Sequence, residues 1–289
     1  MSNLFSSTRT NRIARVLVGA AVGIFIYRGI IGAREEAPSA QPAQAALIQA
    51  AEAKLVAPQV KLNTSDRLVE LARTDQIALL RWALANYEKH IQDYRLTFYK
   101  QERINGKLKS VEKIAILYKD EPHSVLMQWQ ENAGPIDKLL FVEGANENKM
   151  IVHPTGMLAW IKSVKRDPSG EEARRSSRGT CDQFGFRRTL ENLVRVYELA
   201  QEQGDLKTAY LGETTVEGRS CVAIERRLPP KEQYPNGRMV LEFDKEYLLP
   251  IAISSYDWQD NLLSRYVSVD LKFNTGLTAG SFSPGANNL

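Results

Sequence analysis

The sequence predicts an α+β domain: one curled antiparallel sheet of about ten or eleven strands, an incomplete half β-barrel, with helices packed on its concave face. Three observations predict it. Short runs with an apolar residue at every second position recur from Asp93 to Phe273, and turn-forming segments separate most of them. Asn105-Gly106 stands between two such runs and supplies the two positive-φ positions of a tight hairpin turn. Two further stretches carry apolar residues at spacings of three and four, the period of a helix face.

Taken in order, the first helix precedes the sheet. Thr64, Ser65 and Asp66 offer N-caps, and Leu80, Leu84, Tyr87 and Ile91 form one apolar stripe that should cover a sheet face. In the hairpin, Tyr94, Leu96 and Phe98 share one parity before the turn, and Ile114, Ile116 and Tyr118 alternate after it. The runs "SVLMQW", "DKLLFVE", "KMIVH" and "MLAWI", residues 124 to 161, continue the meander as short strands. Lys162 to Arg188 breaks the pattern, with eight basic and four acidic residues and four of the chain's prolines and glycines. It reads as a long basic loop, either plain solvated chain or a lid or partner surface. A second helix from about Phe186 to Gln203 carries Leu190, Leu193, Val194 and Tyr197, and Gly204 offers its C-cap. Strands then resume: "TAYLGETTV" and "CVAIERR" flank Glu217-Gly218, "RMVLEFD" precedes "PIAISSYDW", and a last long strand starts at Asn261.

The N-terminus has a different character. Three arginines precede the apolar run Val16 to Tyr27, so residues 1–34 read as a signal peptide or an uncleaved membrane anchor, and the implied location is the periplasm or cell envelope. Residues 35–62, rich in Ala, Pro and Gln, read as a linker. Residues 63–283 form the domain, and 284–289 a tail. Hydrophobic residues make up 43% and charged residues 25% of the chain, a globular balance. The net charge of +4 comes mostly from the first 45 residues, where five arginines face two glutamates, so the domain itself gives no reason to expect nucleic acid. Cys181 and Cys221 are compatible with one disulfide or with two free thiols.

No phosphate-binding glycine loop, nucleophile elbow or zinc-binding H-E-x-x-H occurs, and His90, His123 and His153 lie far apart in sequence. Glu102, Glu112 and Glu143 could pair for acid–base work only if the fold brought them together, and on strands they read as solvent-face residues. The expectation is therefore a non-catalytic protein with no cofactor and no metal site. What the strands do offer is a surplus of apolar side chains. Leu96, Phe98, Ile114, Ile116, Met127, Trp129, Leu139 and Phe141 would line a hydrophobic groove on the concave face, suited to acyl chains or a lipidated partner. Their alternative role is ordinary core packing. Arg174, Arg175 and Arg178 in the basic loop are the candidates for docking an envelope protein.

A resemblance adds to this reading. "HIQDYRLTFYKQERINGKL", "EPHSVLMQW", "FVEGANENKMIVHP" and "DPSGEEARRSSRG" followed by "FGFRRTLENL" are similar to the motifs of a bacterial exported family of unknown function, family 1571, from roughly Leu68 to Phe282. The strand order and helix placement resemble the lipoprotein-localisation-factor fold, an incomplete antiparallel barrel whose helices close its mouth. The resemblance implies an envelope protein that binds a lipid or a lipoprotein, without cofactor or catalytic residues. Arg178 matches a basic position expected near the family's glycine, with no catalytic role attached to it.

Overall fold

The computed structural model describes residues 64–289; the expected targeting segment and linker lie outside the described residues. Two helices open the domain, α1 (Thr64–Thr74) and α2 (Gln76–His90). The sequence reading has a single helix here, and the difference comes from Asp75. Its backbone is extended, and its carboxylate accepts a hydrogen bond from the Ala78 N–H at 2.9 Å, which ends one helix and caps the next.

The strands that follow are β1 (Asp93–Ile104), β2 (Lys107–Leu108), β3 (Glu112–Lys119), β4 (Ser124–Glu131), β5 (Ile136–Val142), β6 (Met150–Pro154) and β7 (Val164–Arg166). After α3 (Glu171–Ser176) and α4 (Phe186–Glu202) come β8 (Lys207–Val216), β9 (Arg219–Arg227), β10 (Arg238–Asp244), β11 (Pro250–Tyr256) and β12 (Leu262–Phe273). Together they form one 12-stranded sheet in the order β7-β6-β5-β4-β3-β1-β12-β11-β10-β9-β8, with β2 paired to β1. Every pairing is antiparallel, and the sheet does not close on itself. Both hairpin turns fold as their sequences require, with positive φ at Asn105 and Gly106 and at Glu217 and Gly218.

Strand parity sets the core. On the inner face Leu96, Ile116, Met127, Leu139, Val152 and Val164 stand in register as a single row across six strands. Tyr94, Tyr118, Val125 and Phe141 form the row beside it. These residues join one buried cluster with Leu68, Leu80 and Tyr87 of the first two helices and Leu190, Leu193 and Tyr197 of α4. Each such aliphatic side chain contributes about 1.5–3 kcal/mol on full burial. α2 packs on α1 and α4, α1 also rests on β8 and β9, and Gln76 at the start of α2 donates to the Ala209 carbonyl of β8 at 2.9 Å.

The outer face holds a second, smaller apolar row. Leu117, Leu126, Leu140 and Ile151 are in register across four strands. Leu277, Phe282 and Leu289 cover them, so the chain's last residues lie against the back of the sheet.

Two further segments differ from the sequence reading. "MLAWI" is not a strand: Gly156–Leu158 forms a 3-10 turn, and Met157 and Trp160 are 94% and 81% exposed. The strand-like alternation there meets no partner edge, and the pairing role falls to β7 three residues later. Lys162 to Arg188, read as a loop, contains β7, α3 and the first turn of α4.

Candidate functional site

Between the inner face of β1 and β3–β7 and the segment 168–186 lies a cavity of about 790 Å³. Segment 168–186 crosses this half of the sheet as a strap, with α3 in its first half. Of the eight residues expected to line a groove, Leu96, Phe98, Ile114, Met127, Trp129 and Leu139 do line the cavity. Ile116 and Phe141 share their face but are core residues outside the lining. The cavity also has walls that periodicity does not reveal, from Ile251, Ile253 and Tyr266 on the far side of β1 and from Phe184 and Phe186 on the strap.

Aromatic contacts hold the end of the strap. Phe184 meets Phe98 edge to face at 5.3 Å, and Phe186 lies 5.3 Å from Tyr94, whose hydroxyl accepts the Phe186 N–H at 3.2 Å. Gly185 between them has φ of 120°, and a Cβ there would fall 2.5 Å from the Tyr118 ring, so only glycine lets the strap pass so close. Beneath this point His123 is buried and donates from Nε2 to the Cys181 carbonyl at 3.2 Å. Its Nδ1 faces the Tyr118 hydroxyl at 3.2 Å and Arg188 Nε at 3.4 Å. Burial, with Arg188 adding to it, holds the His123 pKa below its ordinary value, which favours the neutral ring that this pattern needs.

The middle of the strap is tied by a carboxylate. Glu102, read from the sequence as a solvent-face residue, is instead only 3% exposed, because it shares the inward parity of Leu96 and Phe98. It accepts from Ser177 Oγ at 3.1 Å, from the Arg178 N–H at 3.2 Å and from the Tyr266 hydroxyl. Burial and the Glu102 charge both push the Tyr266 pKa up, so the phenol stays a donor. Lys100 bridges Glu102 at 3.7 Å and Glu112 at 3.2 Å, and Trp129 Nε1 donates to Glu112 at 2.5 Å. The fold thus brings two of the three candidate carboxylates together; Glu143 lies apart, paired with Arg188 at 3.2 Å. Both carboxylates of the pair are engaged with fixed donors, an arrangement that ties elements together and gives the otherwise apolar cavity one polar wall.

Arg174, Arg175 and Arg178 are all exposed on the strap. Arg175 pairs with Glu171, whereas Arg174 and Arg178 have no ion pair among the described residues. Cys181 and Cys221 are free and buried, with burial pushing their thiols up to about 12 and about 11. Among the described residues no group of three or more His, Cys, Asp or Glu side chains is placed to hold a metal ion. Nor is any helix there long and apolar enough to cross a membrane.

The fold and the cavity define an open, curled antiparallel-sheet domain with an apolar interior. Residues 91–288 match the family described as a protein of unknown function, DUF1571, and the chain belongs to that family. No curated protein matches it. Among solved structures it is similar in fold to a DUF1329 family protein from Desulfovibrio piger, at 16% identity over 72% of this chain and 97% of that one, with a TM-score of 0.37. It is similar also to the Mycobacterium tuberculosis lipoprotein LppX, at 11% identity over 71% and 99% of the two chains, with a TM-score of 0.40. A third likeness is to a chain of the Pseudomonas aeruginosa MucA/MucB complex, at 16% identity and a TM-score of 0.44, over 74% of this chain and 62% of that one. This chain therefore spans less than two thirds of the length of that third structure.

Proposed function

We propose that this protein is a non-catalytic binder of a hydrophobic ligand, such as a lipid or the acyl chains of a lipoprotein, acting in the cell envelope to which its N-terminal sequence would direct it. The observation that carries the reading is the cavity of about 790 Å³ walled by Leu96, Phe98, Ile114, Met127, Trp129 and Leu139. Its size falls within the roughly 300–1,000 Å³ of small-molecule sites. Each methylene moved into such a space gains about 0.8 kcal/mol, so a chain of about a dozen carbons gains on the order of 10 kcal/mol before the cost of association. The polar wall of Lys100, Glu102 and Glu112 would then meet the polar end of the ligand, with the alkyl part lying along the inner row.

The test is to purify the protein from cells, analyse its organic extract and native mass, and titrate it with a fluorescent acyl probe. A stoichiometric lipid, or saturable probe binding that Leu139→Arg abolishes while the fold is retained, is the expected result. A lipid-free protein that ignores the probe overturns the reading.

A further inference from the structure

Three loops and α3 gather around the mouth of the cavity, the loops contributing Asn105 and Lys109, Asn132 to Pro135, and Pro154 and Leu158, and α3 with the residue after it contributing Glu172, Arg175 and Ser177. The third carries an unusual surface. Met157 is 94% exposed, Trp160 81% and Leu158 53%, and Val111 of the first loop is 44% exposed. Single exposed apolar residues are ordinary, but four large ones on neighbouring mouth loops mark a contact surface. The loop is fixed at its base, where Thr155 bonds the Pro135 carbonyl at 2.9 Å through its N–H and the Gly134 carbonyl at 2.8 Å through its hydroxyl.

The charges around this tip are one-sided. Lys109, Lys162, Arg174 and Arg178 are exposed and have no ion-pair partner among the described residues. Most acidic residues of the same segments are paired with bases: Glu172 with Arg166 at 2.9 Å, Glu171 with Arg175, and Glu147 with Lys149 and Lys165 at 2.7 and 3.0 Å; Asp167, held by the Ser169 N–H at 2.9 Å, keeps its charge and is felt by Arg174 and Lys149, which leaves the rim with a net excess of cations. A projecting Trp and Met surrounded by free cations match the interface of an anionic bilayer. There the indole sits at headgroup depth, and cations gain from the negative surface potential.

We infer that the mouth docks on an anionic membrane surface, with Met157 and Trp160 entering the interface and Lys109, Lys162, Arg174 and Arg178 meeting its headgroups. Leu158 belongs both to this tip and to the cavity lining, so a docked molecule would have its cavity opening against the lipid. The docking stands on the exposed tip and its charge, and it does not require that the cavity hold a lipid.

The test uses the full chain with Met157→Cys labelled by a bimane fluorophore. Cys181 and Cys221, buried and with raised thiol pKa, stay unlabelled. Because the N-terminal apolar run would itself partition into vesicles, the readout is local: quenching of the label by brominated acyl chains. Vesicles of phosphatidylglycerol and phosphatidylcholine should quench it strongly and pure phosphatidylcholine much less. High salt, which shortens the screening length to about 3 Å at 1 M, should remove the difference. Each of Lys162→Ala, Arg174→Ala and Arg178→Ala should weaken the rim's partitioning about fivefold, and Trp160→Ala by at least about tenfold. These side chains are exposed, so the variants should fold. A vesicle-bound protein whose label stays in water overturns the inference, as does quenching indifferent to lipid charge and salt. A cross-link from position 157 to another protein in cells, with no quenching by lipid, would replace the membrane with a protein partner.

Discussion

Replacing Glu102 by alanine isolates the tie that holds the strap over the cavity. The substitution removes the acceptor of three donors, the Ser177 hydroxyl, the Arg178 N–H and the Tyr266 hydroxyl, and leaves Lys100 with Glu112 alone. Hydrogen bonds to a charged group contribute about 1.5–3 kcal/mol each. Two of the three belong to the strap, and Ser177 can turn to water once the strap lifts, so opening of the strap should become easier by about 3 kcal/mol. That is a change of about 10²-fold in its opening equilibrium. Hydrogen exchange read residue by residue is the assay. The Arg178 amide, whose acceptor is the carboxylate itself, and its neighbours from 172 to 184 should exchange about 10²-fold faster, while the amides of β3, β4 and β9 should shift only with global stability. A bound acyl probe should also dissociate faster from the variant. If the strap amides keep wild-type protection, or change only in step with the whole domain, Glu102 is a core group and not a latch, and the reasoning fails.

Gly185→Ala places a Cβ against the Tyr118 ring on a backbone with φ of 120°, and overpacking together with the positive φ should cost about 2–4 kcal/mol. Calorimetry should show a melting temperature about 5–15 °C lower, and an unchanged one would mean that the strap can shift to make room. His123 carries a depressed pKa in the folded state, so below its ordinary value near 6.5 the unfolded chain takes up protons first and stability falls until pH passes the folded pKa. Asp120 is raised by burial and runs the other way, its contribution lost as pH rises through its folded pKa, so a single-site comparison is required. Urea midpoints at pH 7.5 and 5.5 should differ in the wild type and converge in His123→Gln; an equal drop in both assigns the acid sensitivity elsewhere.

The sequence is most legible where local chemistry and side-chain period agree. Asn105-Gly106 and Glu217-Gly218 specify their turns, and alternation specifies which residues of β1, β3, β4 and β5 face inward. Parity fixes a face but not what covers it, which is why Ile116 and Phe141 pack in the core while Leu96 and Met127, on the same face, border open space. Asp75 was legible in principle as a cap ahead of an apolar run. Glu102 was misread as a solvent-face residue on the strength of its charge, although it repeats the parity of Leu96 and Phe98, which points it inward. The strap was not legible. Its α3 has six residues, too few for any period to register, and its seat depends on Phe98, Glu102 and His123, far away in sequence.

The cavity and the strap have one cause. The sheet is wider than its long helices can cover: α1 reaches β8 and β9, and α2 and α4 pack against one another, while the inner rows run on to β6 and β7. An apolar face left open to water is unfavourable in proportion to its area, so some element must lie across it. That element has no long apolar face of its own, and it is held instead by point contacts: Phe184 on Phe98, Phe186 on Tyr94, the Cys181 carbonyl on His123 and two donors on Glu102. An element held in this way leaves space beneath it and opens at a lower free energy than the sheet unfolds. Opening of the strap is therefore governed by its few ties rather than by the stability of the domain, and a ligand group that donated to Glu102 would compete directly with two of them.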